Sequence, residues 1–144
     1  MGRKEHRVDT LTAPERSERM SRVRSKDTKP EMLVRSLVHR MGFRYRLHDR
    51  KLPGNPDMVF PGRGKIIFVH GCFWHRHRER CEFTRWPKSK LGFWRPKLEQ
   101  NHQRDRIVGR ELRKLGWRVL IVWECQLKNR EAVGAKLRAF LEAE

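Results

Sequence analysis

The chain has 144 residues, with 35 Lys or Arg against 17 Asp or Glu, so its formal net charge is +18. Its longest apolar run covers residues 119–123, whereas a membrane span needs about 20 residues, which excludes a membrane protein. Three cysteines cannot all pair with one another, so reduced thiols in a cytoplasm are the better interpretation. The charge predicts a polyanionic partner, nucleic acid first, because Lys and Arg bind phosphates without reading a base sequence.

The first part of the chain is predicted to be an arm. Residues 1–26 are polar and basic and show no sustained apolar period, so they are taken as an N-terminal arm before one domain at 27–144. That domain begins with a helix, because Thr28 and Glu31 have the spacing of a capping box. Gly42 is the expected C-terminal stop of this helix.

The remaining elements are predicted from apolar periodicity and turn residues. They are strands at 43–47, 57–60, 65–69 and 117–123, and helices at 97–115 and 131–142. Residues 76–97 are expected to be irregular, basic and aromatic. The order α-β-β-β-α-β-α, with apolar strands flanked by helices, predicts an α/β domain around a central mixed sheet.

A cluster of soft metal ligands lies near residue 75. Cys72, His75, His77 and Cys81 fall within ten residues, and Cys125 follows the strongest strand. A structural zinc takes four tetrahedral N or S donors, which three cysteines and one histidine provide. The spacing leaves open which histidine binds, and in an extended segment the two would face opposite ways. The alternative is three unrelated buried thiols and two surface histidines.

A carboxylate next to a turn indicates a second kind of site. Asp57 follows a Pro-Gly-Asn-Pro turn and begins a strand, which is a good position to present an oxygen ligand to Mg²⁺. In restriction-type nucleases, Pro-Asp is followed after a spacer by Glu/Asp-x-Lys, but this chain has Phe-Val-His at 68–70. The pattern is therefore degenerate. Asp57 could instead be a loop charge, Glu31 a cap partner and Asp105 a charge on a solvated helix face.

Six strings of the sequence together resemble the very-short-patch-repair (Vsr) DNA mismatch endonucleases. They lie at 25–31, 52–57, 69–75, 93–94, 104–105 and 116–125, and His-Gly-Cys-Phe-Trp-His and Val-Trp-Glu-Cys are the most specific. The resemblance implies a restriction-endonuclease-like fold with a structural zinc. It also implies Mg²⁺-dependent hydrolysis that nicks double-stranded DNA 5′ to the T of a T·G mismatch. Such mismatches arise when 5-methylcytosine deaminates, and the nick starts very short patch repair.

The resemblance also implies a set of catalytic residues. Asp57 and the main-chain carbonyl of Val69, where the best-known member has Thr, match the Mg²⁺ ligands. His75 matches the general base, and Asp105 is placed to support it. The residues expected to hold water or phosphate are His70 and Glu31.

Further positions match structural and DNA-binding residues of the family. The zinc ligands correspond to Cys72, His77, Cys81 and Cys125. The aromatic residues expected to wedge into the base stack correspond to Phe73, Trp74 and Trp94, which could otherwise be ordinary core residues. Met20 corresponds to an N-terminal segment that grips the opposite groove.

Two other functions fit part of this pattern. A zinc-stapled, non-enzymatic DNA- or RNA-binding module explains the charge and the aromatic residues but not the acidic and histidine set. A sequence-specific endonuclease without mismatch preference keeps the chemistry. The expected partners are T·G-containing DNA and mismatch-repair proteins. We expect a monomer, because one nick needs one active site, in the bacterial cytoplasm and at the nucleoid when it acts.

Overall fold

The computed structural model describes residues 27–77 and 81–144, so the predicted arm and Met20 lie outside the described residues. Within the described residues, four strands form one sheet, and helices cover both of its faces. The strands are β1 (Arg46–Leu47), β2 (Met58–Phe60), β3 (Lys65–His70) and β4 (Arg118–Trp123). The helices are α1 (Lys29–Arg40), α2 (Cys72–His75), α3 (Leu91–Lys114) and α4 (Arg130–Glu142). The predicted α/β order is confirmed, with the short α2 added.

The sheet is mixed, with strand order β1-β2-β3-β4. β2 pairs antiparallel with both β1 and β3, and β3 pairs parallel with β4, where His70 lies opposite Trp123. The start of β2 therefore lies at the same edge of the sheet as the ends of β3 and β4. We call this the site edge, and it is marked by Asp57, His70 and Trp123.

Apolar side chains pack on both faces of the sheet because those of β3 alternate. Ile67 packs on one face with residues of α1 and α4, such as Val38 and Leu137. Ile66 packs on the other face, with Leu112 of α3. This arrangement places α3 on one side and α1 with α4 on the other. No helix in the described part of the chain is long and apolar enough to cross a membrane.

The boundaries of α1 agree with the prediction. The Thr28 hydroxyl accepts the Glu31 N–H at 3.3 Å, as an N-cap residue does. Gly42 follows the helix with φ of +90°, a conformation that glycine adopts without steric cost.

Two element predictions are wrong in extent. The strand expected at 43–47 pairs only at Arg46 and Leu47, and Phe43 is buried before the pairing begins. The helix expected at 97–115 begins at Leu91, inside the segment expected to be irregular. Pro96 lies inside α3, and Trp94, two residues before it, packs on Phe73 and Trp74 of α2.

A buried lysine joins the other edge of the sheet to the last helix. Lys65, at the start of β3, is only 2% exposed. Its ammonium donates to the main-chain carbonyls of Phe140 at 2.6 Å and Leu141 at 3.1 Å, and also to that of Ala143. These carbonyls are at the end of α4, where helix carbonyls lack partners and positive charge is favourable.

Candidate active site and metal-ligand cluster

The structure brings three cysteines and one histidine together. One ligand atom from each of Cys72, His77, Cys81 and Cys125 lies within 4.8 Å of the others. The Nδ1 atom of His77 is 3.7 Å from Cys72 Sγ and 3.4 Å from Cys125 Sγ. A tetrahedral zinc with bonds of about 2.3 Å to S and about 2.05 Å to N separates S from N by about 3.6 Å. The donor set and its spacing therefore fit zinc, and the histidine in the set is His77. We call these four residues the thiol cluster.

Local backbone structure turns His77 toward the thiols. Arg76 ends α2 with φ of +52°, and the His77 N–H then donates to the Cys72 carbonyl at 3.2 Å. The His77 ring stacks on Trp123 with centroids 4.2 Å apart, which fixes its orientation. Burial raises the pKa of the Cys72 thiol, an effect that a cation bound beside it would reverse.

A second set of polar residues gathers at the site edge. A cavity of about 250 Å³ lies there, between the start of β2, the end of β3, α1 and α3. Its lining includes every residue for which a catalytic or Mg²⁺-binding role was predicted: Glu31, Asp57, Val69, His70, His75 and Asp105. We call these residues the acid–histidine cluster.

Asp57 is held in place by β3. Its side chain is 9% exposed, and Oδ2 accepts the Val69 N–H at 2.7 Å. Burial raises the pKa of Asp57 to about 7, although the Val69 hydrogen bond acts in the opposite direction. A carboxylate with such a pKa is electrostatically unfavourable in the metal-free protein and would be stabilised by a cation.

His75 and Asp105 form a short hydrogen bond between two helices. His75 Nδ1, on α2, lies 2.5 Å from Asp105 Oδ2, on α3. Because the carboxylate accepts, the bond assigns the proton to Nδ1 and leaves Nε2 as the acceptor nitrogen. Asp105 is therefore a partner of a histidine and not a charge on a solvated helix face.

His70 stacks on the same imidazole. Its ring centroid is 3.9 Å from that of His75, and the two planes differ by 7°. Burial, and then the charge of His75, lower the pKa of His70 well below its usual value, so His70 is neutral. Its Nδ1 atom is buried and has no hydrogen-bond partner among the described residues.

Glu31 is a cap partner of α1 and also lines the cavity. Its side chain is almost fully buried, and its carboxylate interacts with the Asp27 N–H, with Arg35 and with the His48 ring. Sequence reasoning missed His48. It lies outside the six strings of the resemblance, and only its contact with Glu31, 17 residues away, shows its relevance.

The predicted wedge residues form an aromatic cluster beside this cavity. Phe73 and Trp74, on α2, meet Trp94, on α3, with ring centroids 5.3–5.9 Å apart and edges toward faces. All three are half-buried, and they line a groove of about 550 Å³ that also reaches Val69 and His75. The groove therefore joins an apolar surface to the acid–histidine cluster.

Comparison with known proteins identifies the family. Residues 8–82 match the family model described as DNA mismatch endonuclease Vsr. The chain is 48% identical to type II nicking enzyme V.XorIIP of Xanthomonas oryzae pv. oryzae, over 94% of this chain and 98% of that protein. This chain belongs to the Vsr family. Its relatives are named endonucleases and nicking enzymes, and we conclude that this chain is a DNA endonuclease.

Two other matches agree with a Vsr-family chain. DNA mismatch endonuclease Vsr of Escherichia coli is 43% identical, over 81% of this chain and 73% of that protein. The catalytic domain of homing endonuclease I-Bth0305I superposes with a TM-score of 0.55 at 22% identity, over 79% of this chain and 94% of that domain. The latter match shows a shared endonuclease fold.

Proposed function

We propose that this Vsr-family protein nicks double-stranded DNA 5′ to the T of T·G mismatches by Mg²⁺-dependent hydrolysis. The observation that carries the proposal is that the acid–histidine cluster lines one cavity and an aromatic groove opens beside it. A non-enzymatic binding module would have no use for a buried carboxylate next to a His–Asp pair.

In this proposal His75 is the general base. Asp105 accepts a hydrogen bond from the Nδ1–H of His75, so Nε2 is free to take a proton from the attacking water. The Asp105 carboxylate then stabilises the imidazolium that forms. His70, stacked on His75, stays neutral, so it adds no positive charge that would oppose this protonation.

Asp57 and the Val69 carbonyl would hold the metal ion. The Val69 N–H fixes the Asp57 carboxylate through Oδ2, which keeps that side chain oriented whether or not a metal ion is bound. When bound, Mg²⁺ supplies Lewis-acid stabilisation of the phosphate and of the leaving oxygen. Glu31 and His70 hold water or phosphate at the same cavity.

Mismatch preference is assigned to Phe73, Trp74 and Trp94. A T·G pair differs little from its neighbours in hydrogen bonding, so stacking and shape have to carry much of its recognition. Inserting aromatic side chains costs a few kcal/mol per unstacked step, and less at a mismatch, where stacking is already weak. Half-buried rings at the mouth of the active site are suited to this role.

The thiol cluster is proposed to hold a structural zinc ion. Three sulfur donors and one nitrogen donor at tetrahedral spacing favour zinc over a hard cation. We assign residues 27–144 to the nuclease domain.

A second candidate is a strand-specific nicking enzyme without mismatch preference. It is favoured by the relatives that carry the name type II nicking enzyme, including V.XorIIP and V.NmeAIP of Neisseria meningitidis. The two candidates share their chemistry and differ in the DNA that they select.

A nicking assay on matched duplexes distinguishes these candidates. Two duplexes are compared that differ at one base pair, which is T·G in one and T·A in the other. Each is prepared with the label on one strand or on the other and is incubated with the protein and Mg²⁺. We expect a nick only in the T strand of the T·G duplex, 5′ to the T, and none without Mg²⁺. Equal nicking of both duplexes would favour the second candidate and contradict the first.

A further inference from the structure

The carboxylate of Glu31 is held by donors from different parts of the chain. The residue is 1% exposed, and its Oε1 accepts the Asp27 N–H at 2.9 Å. Its Oε2 lies 2.7 Å from His48 Nε2 and 3.3 Å from Arg35 Nη1. A glutamate has three side-chain torsions, so these partners determine where the carboxylate sits in the cavity.

His48 also contacts the second carboxylate residue of the cavity. Its N–H donates to the main-chain carbonyl of Asp57 at 3.2 Å. His48 has φ of +46°, a left-handed conformation that few non-glycine residues adopt. Such a conformation persists where the surroundings fix it, and here hydrogen bonds from both the ring and the backbone do so.

Arg35 and His48 differ in what they connect. Arg35 is on α1, four residues from Glu31, and it also bonds the Asp27 carboxylate at 2.8 Å. It therefore links groups in and next to a single helix. His48 belongs to the segment that follows β1 and bonds the residue that precedes β2, so it joins α1 to the site edge.

We infer that His48 is a positioning residue that sets the Glu31 carboxylate beside Asp57. Its Nε2–H donates to Oε2 of Glu31, and its backbone ties the same segment to Asp57. The inference rests on the proposed function, in which Glu31 holds water or phosphate at the reacting centre. Supporting groups of this kind commonly change activity by about 10–100-fold without touching the reacting atoms.

The direct test compares three substitutions at this position. In single-turnover nicking at saturating protein and Mg²⁺, we expect His48→Ala to lower the rate by about 10–100-fold. Binding to the duplex should stay within about twofold, because His48 contacts a carboxylate rather than DNA in this account. His48→Gln keeps a donor of similar reach and should recover most of the rate, whereas the shorter His48→Asn should not. His39→Ala, at the exposed end of α1, is the matched control and should behave as the unmodified protein.

A double-mutant cycle tests whether His48 acts through Glu31. In a Glu31→Gln background, His48→Ala should lower the rate by less than about threefold further. A further loss of tenfold or more would overturn the inference, as would full activity of His48→Ala in the unmodified background. If His48→Ala has no melting transition, the other two variants decide, and equal rates for His48→Gln and His48→Asn overturn it.

The substrate proposal and the His48 inference fail in different ways. Protein that nicks supercoiled plasmid but not the T·G duplex would contradict the proposed substrate. The same rate ratios would then be measured on the plasmid, where an unchanged rate for His48→Ala again overturns the role of His48.

Discussion

The thiol cluster and the acid–histidine cluster both take residues from the stretch 69–77, yet their environments are opposite. His70 and His75 face the acid–histidine cluster, while Cys72 and His77 join the thiol cluster. In the thiol cluster every donor suits a soft ion, and the four ligand atoms lie within 4.8 Å of one another. In the acid–histidine cluster, burial disfavours the ionised forms of Asp57 and His70. In the proposed function the thiol cluster stabilises the fold, whereas the acid–histidine cluster carries out the chemistry at a cost in stability.

The largest expected effect is the loss of zinc. We expect one zinc per chain, because apparent binding free energies of about 10–16 kcal/mol in zinc-finger peptides are also folding free energies. His77→Ala should remove the ion and lower Tm by more than about 10 °C. His75→Ala is the matched control and should keep the zinc while losing nicking. The checks are elemental analysis and melting curves in a zinc chelator that spares Mg²⁺. A zinc-free preparation with unchanged melting would contradict this prediction.

Removal of the Asp57 carboxylate should abolish nicking without preventing DNA binding. We expect Asp57→Ala to lower the nicking rate by at least about 10²–10³-fold, the range for losing one charged or donor group at a reacting centre. Mismatch binding should be largely intact, because the change also removes a negative charge near phosphate. Asp49→Ala, in the turn where Asp49 accepts the Lys51 N–H, is the control. Appreciable Mg²⁺-dependent activity of Asp57→Ala would place the catalytic carboxylate elsewhere.

Substitution of Asp57 should also show how much its burial lowers the free energy of unfolding. The folded-state pKa of Asp57 is about 7, against 3.8 for an ordinary aspartate, so between these pH values the folded state holds more protons than the unfolded state. The contribution of Asp57 to the stability of the Mg²⁺-free protein therefore falls as pH rises from about 4 to about 7, by at most about 4 kcal/mol. Asp57→Asn, which keeps an oxygen for the Val69 N–H, should lack this dependence.

The quantity to measure is the difference in free energy of unfolding between Asp57→Asn and the unmodified protein. The difference is needed because titration of His70 changes the stability of both proteins in the opposite direction. Its pKa is lowered in the folded state, so its contribution to stability is lost as pH falls below about 6.5. Denaturant unfolding gives the free energy of unfolding of both proteins at pH 5 and pH 8. Relative to the unmodified protein, Asp57→Asn should be more stable at pH 8 than it is at pH 5. An equal difference at both pH values would contradict a buried, uncompensated carboxylate.

The smallest effect is expected in the aromatic groove beside the acid–histidine cluster. Base stacking on an aromatic ring is worth about 1–3 kcal/mol, so Trp74→Ala should reduce the preference for T·G over T·A by about tenfold. Affinity for matched DNA, which Lys and Arg contacts to phosphate provide, and its salt dependence should change little. Trp117→Ala, which removes a ring packed on the core, should instead lower Tm. An equal loss on both duplexes would refute insertion by Trp74.

The sequence predicted what depends on local spacing. The Thr28 cap, the strands around Ile67 and the order of elements follow from periodicity and turn residues, which act over a few positions. The start of α3 does not, because the helix was expected from residue 97 and begins at Leu91, before Pro96. Packing of Trp94 on Trp74, far apart in the chain, extends the helix past it.

The two clusters show the same limit. Residue types indicated a zinc site, but spacing left His75 and His77 equivalent, and only the left-handed turn at Arg76 separates them. Asp105 had an ordinary interpretation as a surface charge until α3 placed it against His75. Such roles depend on contacts between elements, which a single sequence does not specify.

The buried ammonium of Lys65 has a consequence for the order in which the chain folds. It lies in the interior strand β3, but its acceptors belong to residues at least 75 positions later. Until α4 docks, β3 cannot be buried without leaving a charge that has no acceptor, which is strongly unfavourable. Burial of the central strand and docking of the last helix therefore form one cooperative event. Amide hydrogens of β3 and α4 should exchange with solvent through the same opening, with equal free energies in native-state hydrogen exchange.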